Sequence, residues 1–116
     1  MKIIPSLLAE DFDIFTGLVR KSEKFTDYVQ VDLMDGIFVD SRSFPAKDLN
    51  QLDTPLSFEV HLMFEDPVTA FEGLQNEKLR RVIFHIESNA HAQEFVRRIK
   101  GKGLKAGIAL NPETEA

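Results

Sequence analysis

VQVDLMDG (residues 29–36) alternates apolar and polar side chains and then ends at a glycine. Successive side chains of a strand point to opposite faces, so Gln30 and Asp32 share one face and the apolar residues share the other. A parallel strand covered by helices on both faces is nearly continuous in apolar residues, and Asp32 breaks that rule. A buried aspartate is costly unless it is paired, hydrogen-bonded or bound to a metal, so this face is expected to hold a polar site.

The strand pattern of this stretch recurs along the chain and alternates with segments of helical spacing. Strand starts recur roughly every 25 residues, which is typical of a repeated strand–helix unit. This alternation predicts a parallel α/β sheet with outer helices, in one domain over residues 1–116. Strands are predicted over 2–9, 27–36, 56–64, 80–88 and 104–112, and helices over 10–25, 45–52, 66–76 and 89–103.

Polar side chains collect on one face of the predicted sheet, towards the C-terminal ends of the strands. The active sites of (β/α) barrels form at those ends. Neighbouring strands lie roughly 4.8 Å apart, so Asp32 and His61 are expected to reach one metal ion or one substrate. Imidazole and carboxylate ligands suit Zn²⁺, Mn²⁺ or Fe²⁺. The residues on this face are Ser6, Gln30, Asp32, Glu59, His61, Met63, His85, Glu87, Gly107, Ala109 and Asn111.

Not every polar residue of this face is interpreted as functional. Asp32 and His61 are two ionisable groups at matched depth on neighbouring strands, which packing does not explain. A single histidine or glutamate in a strand is more often a hydrogen-bonded structural residue, and His85 and Glu87 are interpreted in that way. Asp35, at the strand end before a glycine, is expected to shape the turn.

The composition favours a cytoplasmic protein that binds neither nucleic acid nor membrane. The net charge of −5 argues against a nucleic-acid surface, which usually needs a basic patch. The sequence has no apolar run of the roughly 18 residues that a membrane helix needs, and its first residues lack a signal-peptide core. With no cysteine in the 116 residues, a metal must be held by His, Asp or Glu.

Five motifs of this chain resemble the ribulose-phosphate 3-epimerase family. They run from Lys2 to Pro112 in the order IIPSLLAEDF, VQVDLMDGIFV, EVHLMFEDP, VIFHIES and KAGIALNP. Related barrels that decarboxylate sugar or orotidine phosphates carry a lysine at the position of Met34, which argues against decarboxylation. The resemblance implies a TIM barrel that interconverts D-ribulose 5-phosphate and D-xylulose 5-phosphate through an enediolate, with two carboxylates and one divalent metal.

The resemblance also implies a role for individual residues. Asp32 would be a metal ligand and the catalytic acid/base, and His61 would bind metal and substrate. Ser6 would contact the substrate, and Met34 and Met63 would line the pocket. Gln30 stands where the family has a metal-binding histidine; its amide oxygen would be a weaker ligand than imidazole.

The family barrel has eight strands, whereas five are predicted here, so the expected fold is an incomplete TIM barrel of about (βα)₄β. Its first and last strands would be open edges. A C-terminal half or association into a homo-oligomer is therefore expected, and the second carboxylate and the phosphate loops are not assigned. Two alternatives stay open: a catalytically inactive relative that binds a sugar phosphate or a partner subunit, and a metal-independent epimerase that uses Asp32 with another base.

Overall fold

The chain folds around one parallel sheet, in a computed structural model that describes residues 2–115; the ends of the predicted domain, Met1 and Ala116, lie outside the described residues. The strand order is β1-β2-β3-β4-β5, so each strand pairs with its neighbours in sequence. The predicted (βα)₄β alternation is confirmed, and this open sheet is the arrangement of part of a TIM barrel. The strands are β1 (Ser6–Leu7), β2 (Tyr28–Met34), β3 (Ser57–Met63), β4 (Leu79–His85) and β5 (Lys105–Ala109); between them lie α1 (Phe12–Ser22), a 3₁₀ helix (Ala46–Gln51), α2 (Pro67–Glu72) and α3 (Ala92–Gly101).

The apolar face of the sheet carries the core. In β2 every second residue is buried, and the residues between them are partly exposed. The same face of β3 and β4 is covered as well, and helix residues such as Phe15, Phe71 and Phe95 complete the core. The opposite face, called the inner face below, is therefore the one that remains available for a site. The most deeply buried strand residues are Val29, Val31, Leu33, Phe58, Val60, Leu62, Val82 and Phe84.

Helices α1 and α2 begin at capping aspartates, and the α-helices turn one side towards the sheet. Asp11 accepts a hydrogen bond from the backbone N–H of Asp13 at the start of α1, and Asp66 accepts one from Thr69 at the start of α2. In α3, Phe95 and Ile99 are buried one turn apart, as an amphipathic helix requires. The Phe95 ring lies 4.6 Å from the ring of Phe84 on β4, so α3 is fixed against the outer face of that strand.

Several predicted elements are shorter than expected or of another type. β1 was expected over 2–9 but is only Ser6–Leu7. Pro5 has no N–H to donate to the neighbouring strand, so only its carbonyl oxygen takes part, accepting the backbone N–H of Gln30 at 2.8 Å. The segment predicted as a helix over 45–52 is a 3₁₀ helix. Helix α1 ends before Phe25, whose side chain is 70% exposed rather than part of the helix's apolar side.

The two edge strands have one strand neighbour each among the described residues, as predicted from the strand count. Ile108 in β5 and Leu110 just after it are 50% and 44% exposed. The short β1 has the exposed residues Ile3 and Leu8 on either side of it. Within residues 2–115, no helix is long and apolar enough to cross a membrane.

Candidate functional site

The strand register places the predicted site residues in three successive rows on the inner face. Ser6 pairs with Gln30, Asp32 pairs with His61, and Met34 pairs with Met63. Because the strands are parallel and the rows follow one another by two residues, the row of Asp32 and His61 lies between the other two. The predicted common face is confirmed.

Asp32 is held from two sides through one of its oxygens. The Gln30 amide nitrogen donates to Asp32 Oδ1 at 2.8 Å, and His61 Nδ1 lies 3.3 Å from the same oxygen. The side chains of Asp32 and His61 are 19% and 21% exposed. None of the described residues donates a hydrogen bond to Oδ2.

The surroundings of Asp32 favour its charged form. Burial raises the pKa of Asp32, but the His61 ring and the Gln30 amide lower it by more, so the net shift is downward. Asp32 is therefore a carboxylate at neutral pH, the form that accepts a proton or binds a cation.

His85 is a member of this site that the sequence interpretation assigned to structure alone. Its Nε2 lies 2.8 Å from His61 Nε2, and the two rings stack with centroids 4.9 Å apart. Its Nδ1 lies 3.4 Å from Oε1 of Glu87. Burial lowers the pKa of the His85 imidazole, and the nearby His61 lowers it further. The sequence did contain a signal that His85 belongs to the site. The side-chain alternation of the predicted fourth strand put His85 and Glu87 on the same face as Asp32.

Asp35 organises the loop that covers the site, residues 35–44, which we call the β2 loop. Its Oδ1 accepts the backbone N–H groups of Ile37 and Phe38, and its Oδ2 accepts that of Glu65 beyond β3, each at 2.8 Å. The Phe38 ring then lies 5.1 Å from the His85 ring. Burial raises the pKa of Asp35, but the three N–H groups, Glu65 foremost, lower it by more. These bonds agree with the predicted turn-shaping role of Asp35.

Replacing Asp35 by Asn is expected to lower the free energy of unfolding by about 1 kcal/mol, because the new amide NH₂ faces the Glu65 N–H and leaves it unpaired. Since the folded-state pKa of Asp35 lies below its ordinary 3.8, its contribution is present at neutral pH and lost as the pH falls through the folded value. Urea unfolding at pH 7 and pH 3 measures both effects. Asp40→Asn, at an exposed position of the same loop, is the control; equal stability of the two variants at pH 7 would contradict the role of Asp35.

The remaining predicted site residues surround Asp32 without a recorded hydrogen bond to it. Ser6 lies on the edge strand, one row towards the N-terminal end. Met34 and Met63 lie one row towards the C-terminal end, and the backbone of Met34 is fixed by Ser43, whose hydroxyl accepts the Met34 N–H at 3.0 Å. The two thioethers thus border the mouth of the site, where they are partly exposed.

Glu59 shares the inner face but belongs to a separate cluster near the N-terminal ends of the strands. Tyr28 donates its hydroxyl to Glu59 Oε1 at 3.0 Å, and Arg81 lies 3.4 Å from the same oxygen. Burial and the adjacent Glu59 raise the pKa of Tyr28 to about 12. Glu59 is only 3% exposed, and these two partners stabilise its buried charge. The cluster therefore has a structural role and is not part of the site at Asp32.

The side chains at Asp32 offer two ligands that suit a divalent cation. The Asp32 carboxylate and the His61 imidazole are adjacent, whereas Gln30 turns its amide nitrogen towards Asp32 and so presents a donor rather than a ligand atom there. Between residues 2 and 115, no three His, Asp or Glu side chains are placed so that they could hold one metal ion together. A complete site of three or four protein ligands would need atoms beyond Asp32 and His61.

Comparisons with known proteins match the chain to one protein family. The profile of the "Ribulose-phosphate 3 epimerase family" matches residues 2–116. The chain is 37% identical over 115 residues to a ribulose-phosphate 3-epimerase of Treponema pallidum, covering 97% of this chain and 53% of that protein. It is 38% identical over 118 residues to the enzyme of that name from Methanocaldococcus jannaschii, covering 98% and 49%.

A third relative is the ribulose-phosphate 3-epimerase of Oryza sativa that is named a cytoplasmic isoform. It is 32% identical over 120 residues, covering 97% of this chain and 51% of the relative. The chain thus spans about half the length of the relatives it matches.

Proposed function

Because this chain belongs to the ribulose-phosphate 3-epimerase family, we propose that its Asp32 site takes part in interconverting D-ribulose 5-phosphate and D-xylulose 5-phosphate. The observation that carries the proposal is the geometry of Asp32. Near the C-terminal end of β2, its carboxylate is held at Oδ1 by Gln30 and His61, and none of the described residues donates to Oδ2. Such a group is suited to general acid–base work on a bound sugar.

In the proposed reaction, Asp32 takes the proton from C3 of the ketose phosphate. The electron pair of the broken C–H bond moves into a C2–C3 double bond, and the C2 carbonyl oxygen takes the charge, giving an enediolate. A second acid then delivers a proton to C3 from the opposite face, which inverts that carbon. This second acid is not assigned to a residue of the chain; residues outside it or a second copy would supply it.

The other residues of the site would bind and shield the substrate. Ser6 offers a hydroxyl for a sugar oxygen, and His61 offers a ring nitrogen. Met34 and Met63 would exclude water from the reacting carbon, since a thioether is apolar and adapts to irregular shapes. When bound, a divalent metal, such as Zn²⁺, Fe²⁺ or Mn²⁺, would be held by Asp32 and His61 and would act as a Lewis acid on the carbonyl.

Hydrogen exchange at C3 tests the proposal directly. Ribulose 5-phosphate is incubated with the chain in D₂O, with and without added Zn²⁺, Fe²⁺ or Mn²⁺, and the C3 proton signal is followed by NMR. Loss of that signal above the rate of the buffer supports a role for the site in proton transfer. No exchange under any of these conditions would rule out the catalytic proposal for this chain.

Replacing Gln30 by His is expected to strengthen Mn²⁺ binding about 10-fold, because imidazole is a better ligand than an amide for these metals. The variant also removes the amide that occupies Asp32 Oδ1. Titration of the metal alone, followed by calorimetry or electron paramagnetic resonance, gives the dissociation constants. Gln75→His adds one histidine at an exposed position away from the site and should bind as the parent does. Equal gains in the two variants would mean that position 30 is not a ligand position.

A second candidate function is binding without turnover, either of a sugar phosphate or of a partner subunit. One observation favours it: Gln30 donates to Asp32 instead of offering a ligand atom. Calorimetry with ribulose 5-phosphate distinguishes the two proposals, since binding without C3 exchange supports this one. Exchange that persists in the presence of a chelator would instead support a metal-independent epimerase.

Several expectations about partners remain predictions. A ketose phosphate is the proposed small-molecule partner, and association of copies or a further half of the barrel is proposed to cover the open edges of β1 and β5. Gel filtration tests the association: a monomer that unfolds cooperatively would count against it. The absence of nucleic-acid and membrane partners and the cytoplasmic location also stay predictions.

A further inference from the structure

A cavity of about 520 Å³ lies at the N-terminal ends of the strands, at the opposite end of the sheet from Asp32. We call it the floor cavity. Its volume is within the range of about 300–1,000 Å³ that is common for small-molecule sites. Among the described residues no carboxylate lines it, although the chain as a whole has a net charge of −5. The polar and charged side chains that line it are Lys2, Tyr28, Ser57, Arg80, Arg81 and Lys105.

The positive charges around the floor cavity are not balanced by neighbouring acids. Arg81 of β4 and Lys105 of β5 occupy one register position, where like charges repel. Arg81 has a carboxylate within ion-pair distance, Glu59 at 3.4 Å. Within the described part of the chain, Lys2, Arg80 and Lys105 have none. Four cations therefore share one carboxylate, which leaves an excess of three positive charges that a bound anion would balance.

A buried carboxylate holds one wall of the floor cavity in place. Glu59 accepts the Tyr28 hydroxyl at 3.0 Å and contacts Arg81 through the same oxygen. Lys2 Nζ lies 4.5 Å from the centre of the Tyr28 ring, which is the geometry of a cation–π contact. Because these side chains already have partners that fix them, little conformational entropy is lost when a ligand binds there.

Arg80 is fixed by the backbone at the start of its own strand. One guanidinium nitrogen donates to the carbonyl oxygen of Glu77 at 2.6 Å and to that of Leu79 at 3.3 Å. An arginine has five N–H donors, so the other guanidinium nitrogens remain available for a ligand. A guanidinium can bind two oxygens of one phosphate group at once, which an ammonium group cannot do. The two arginines of the floor cavity therefore suit phosphate oxygens.

We propose that the floor cavity binds a small anion that carries a diphosphate group, either free or attached to an organic molecule. One phosphate group carries about −1.5 to −2 charges at neutral pH, and a second group is needed to balance three positive charges. This site is separate from the proposed sugar-phosphate site. Tyr28 and Asp32 are four residues apart on β2, which is roughly 13 Å along a strand.

Calorimetric titration of the chain with pyrophosphate at neutral pH tests the proposal. A chelator is present throughout, so that no metal ion at Asp32 can hold the anion. The expected result is one site per chain with a dissociation constant below about 1 mM. Inorganic phosphate should bind at least about 10-fold more weakly, since it makes fewer charge-assisted hydrogen bonds. No binding of pyrophosphate, or equal affinity for the two anions, would overturn the proposal.

Two variants locate the binding at the floor cavity. Arg80→Gln and Lys105→Gln are each expected to weaken pyrophosphate binding about 10-fold, the effect of one charge-assisted hydrogen bond. Both side chains are exposed, so the fold should survive, and circular dichroism checks this; if one variant does not fold, the other decides.

The matched controls are Arg97→Gln on α3 and Lys47→Gln on the 3₁₀ helix, which remove the same charges at exposed positions outside the floor cavity. Both should bind pyrophosphate as the parent does. Equal losses in the controls and in the two floor-cavity variants would mean that the anion responds to net charge alone, which would overturn the proposal.

ADP distinguishes the two sources of the diphosphate group. Binding of ADP that weakens in Arg80→Gln and Lys105→Gln would assign the site to a diphosphate on an organic molecule, and binding of pyrophosphate alone would assign it to the free anion. Either result sustains the proposal. The measurement is independent of C3 exchange, so a chain that binds pyrophosphate in this way but does not exchange C3 loses the proposed reaction alone.

Discussion

Asp32→Asn is expected to slow C3 hydrogen exchange of ribulose 5-phosphate about 100- to 10,000-fold, the usual contribution of a general acid–base group. An amide cannot take the proton from carbon, and the charge that attracts a cation is lost. The fold should survive, because an asparagine oxygen still accepts the Gln30 amide in place of Asp32 Oδ1. The measurement is the rate of deuterium incorporation at C3, with and without added Mn²⁺.

Asp53→Asn is the control for this result, since it removes a carboxylate of the same kind at an exposed position after the 3₁₀ helix. It is expected to keep the parent rate. If Asp32→Asn exchanges as fast as Asp53→Asn while the parent exchanges above background, Asp32 is not the base. The circular dichroism spectra of both variants should match that of the parent.

Phe84→Ala is expected to lower the free energy of unfolding by about 3–5 kcal/mol, the usual cost of truncating a buried aromatic residue. Phe84 is fully buried on β4, and its ring lies 4.6 Å from Phe95 of α3, so the cavity would open between sheet and helix. That loss is a large part of the 5–15 kcal/mol that stabilises an ordinary domain. Urea unfolding followed by circular dichroism measures it.

Phe25→Ala removes the same atoms from a side chain that is 70% exposed and should change the free energy of unfolding by less than about 0.5 kcal/mol. Phe84→Leu leaves a smaller cavity and should fall between the two, because the cost rises with cavity volume. A Phe84→Ala variant as stable as Phe25→Ala would mean that the contact between β4 and α3 adds little to stability.

The alternation of side chains was enough to predict which residues share the inner face. Gln30, Asp32 and His61 lie together because the period of a strand is two and β2 and β3 pair residue by residue. The strand–helix order likewise predicted the parallel sheet. These features depend on local spacing, which a sequence displays directly.

The contact between His61 and His85 was not predictable in the same way. The register pairs His61 with Ile83, so His85 lies two residues further along β4, and only the side-chain rotamers bring the two Nε2 atoms to 2.8 Å. The Gln30 amide could turn either its nitrogen or its oxygen towards Asp32. The Asp32 oxygen, which only accepts hydrogen bonds, selects the nitrogen. The length of β1 was overestimated because apolar residues at the edge of the sheet need not pair.

The strand order has a consequence for how the chain is made. Each strand pairs with the one synthesised just before it, so contacts are formed between segments close in sequence, and a growing chain can fold stepwise as it leaves the ribosome. The site is then assembled in the order of synthesis. Asp32 meets His61 once β3 has docked, and His85 joins them only when β4 has emerged.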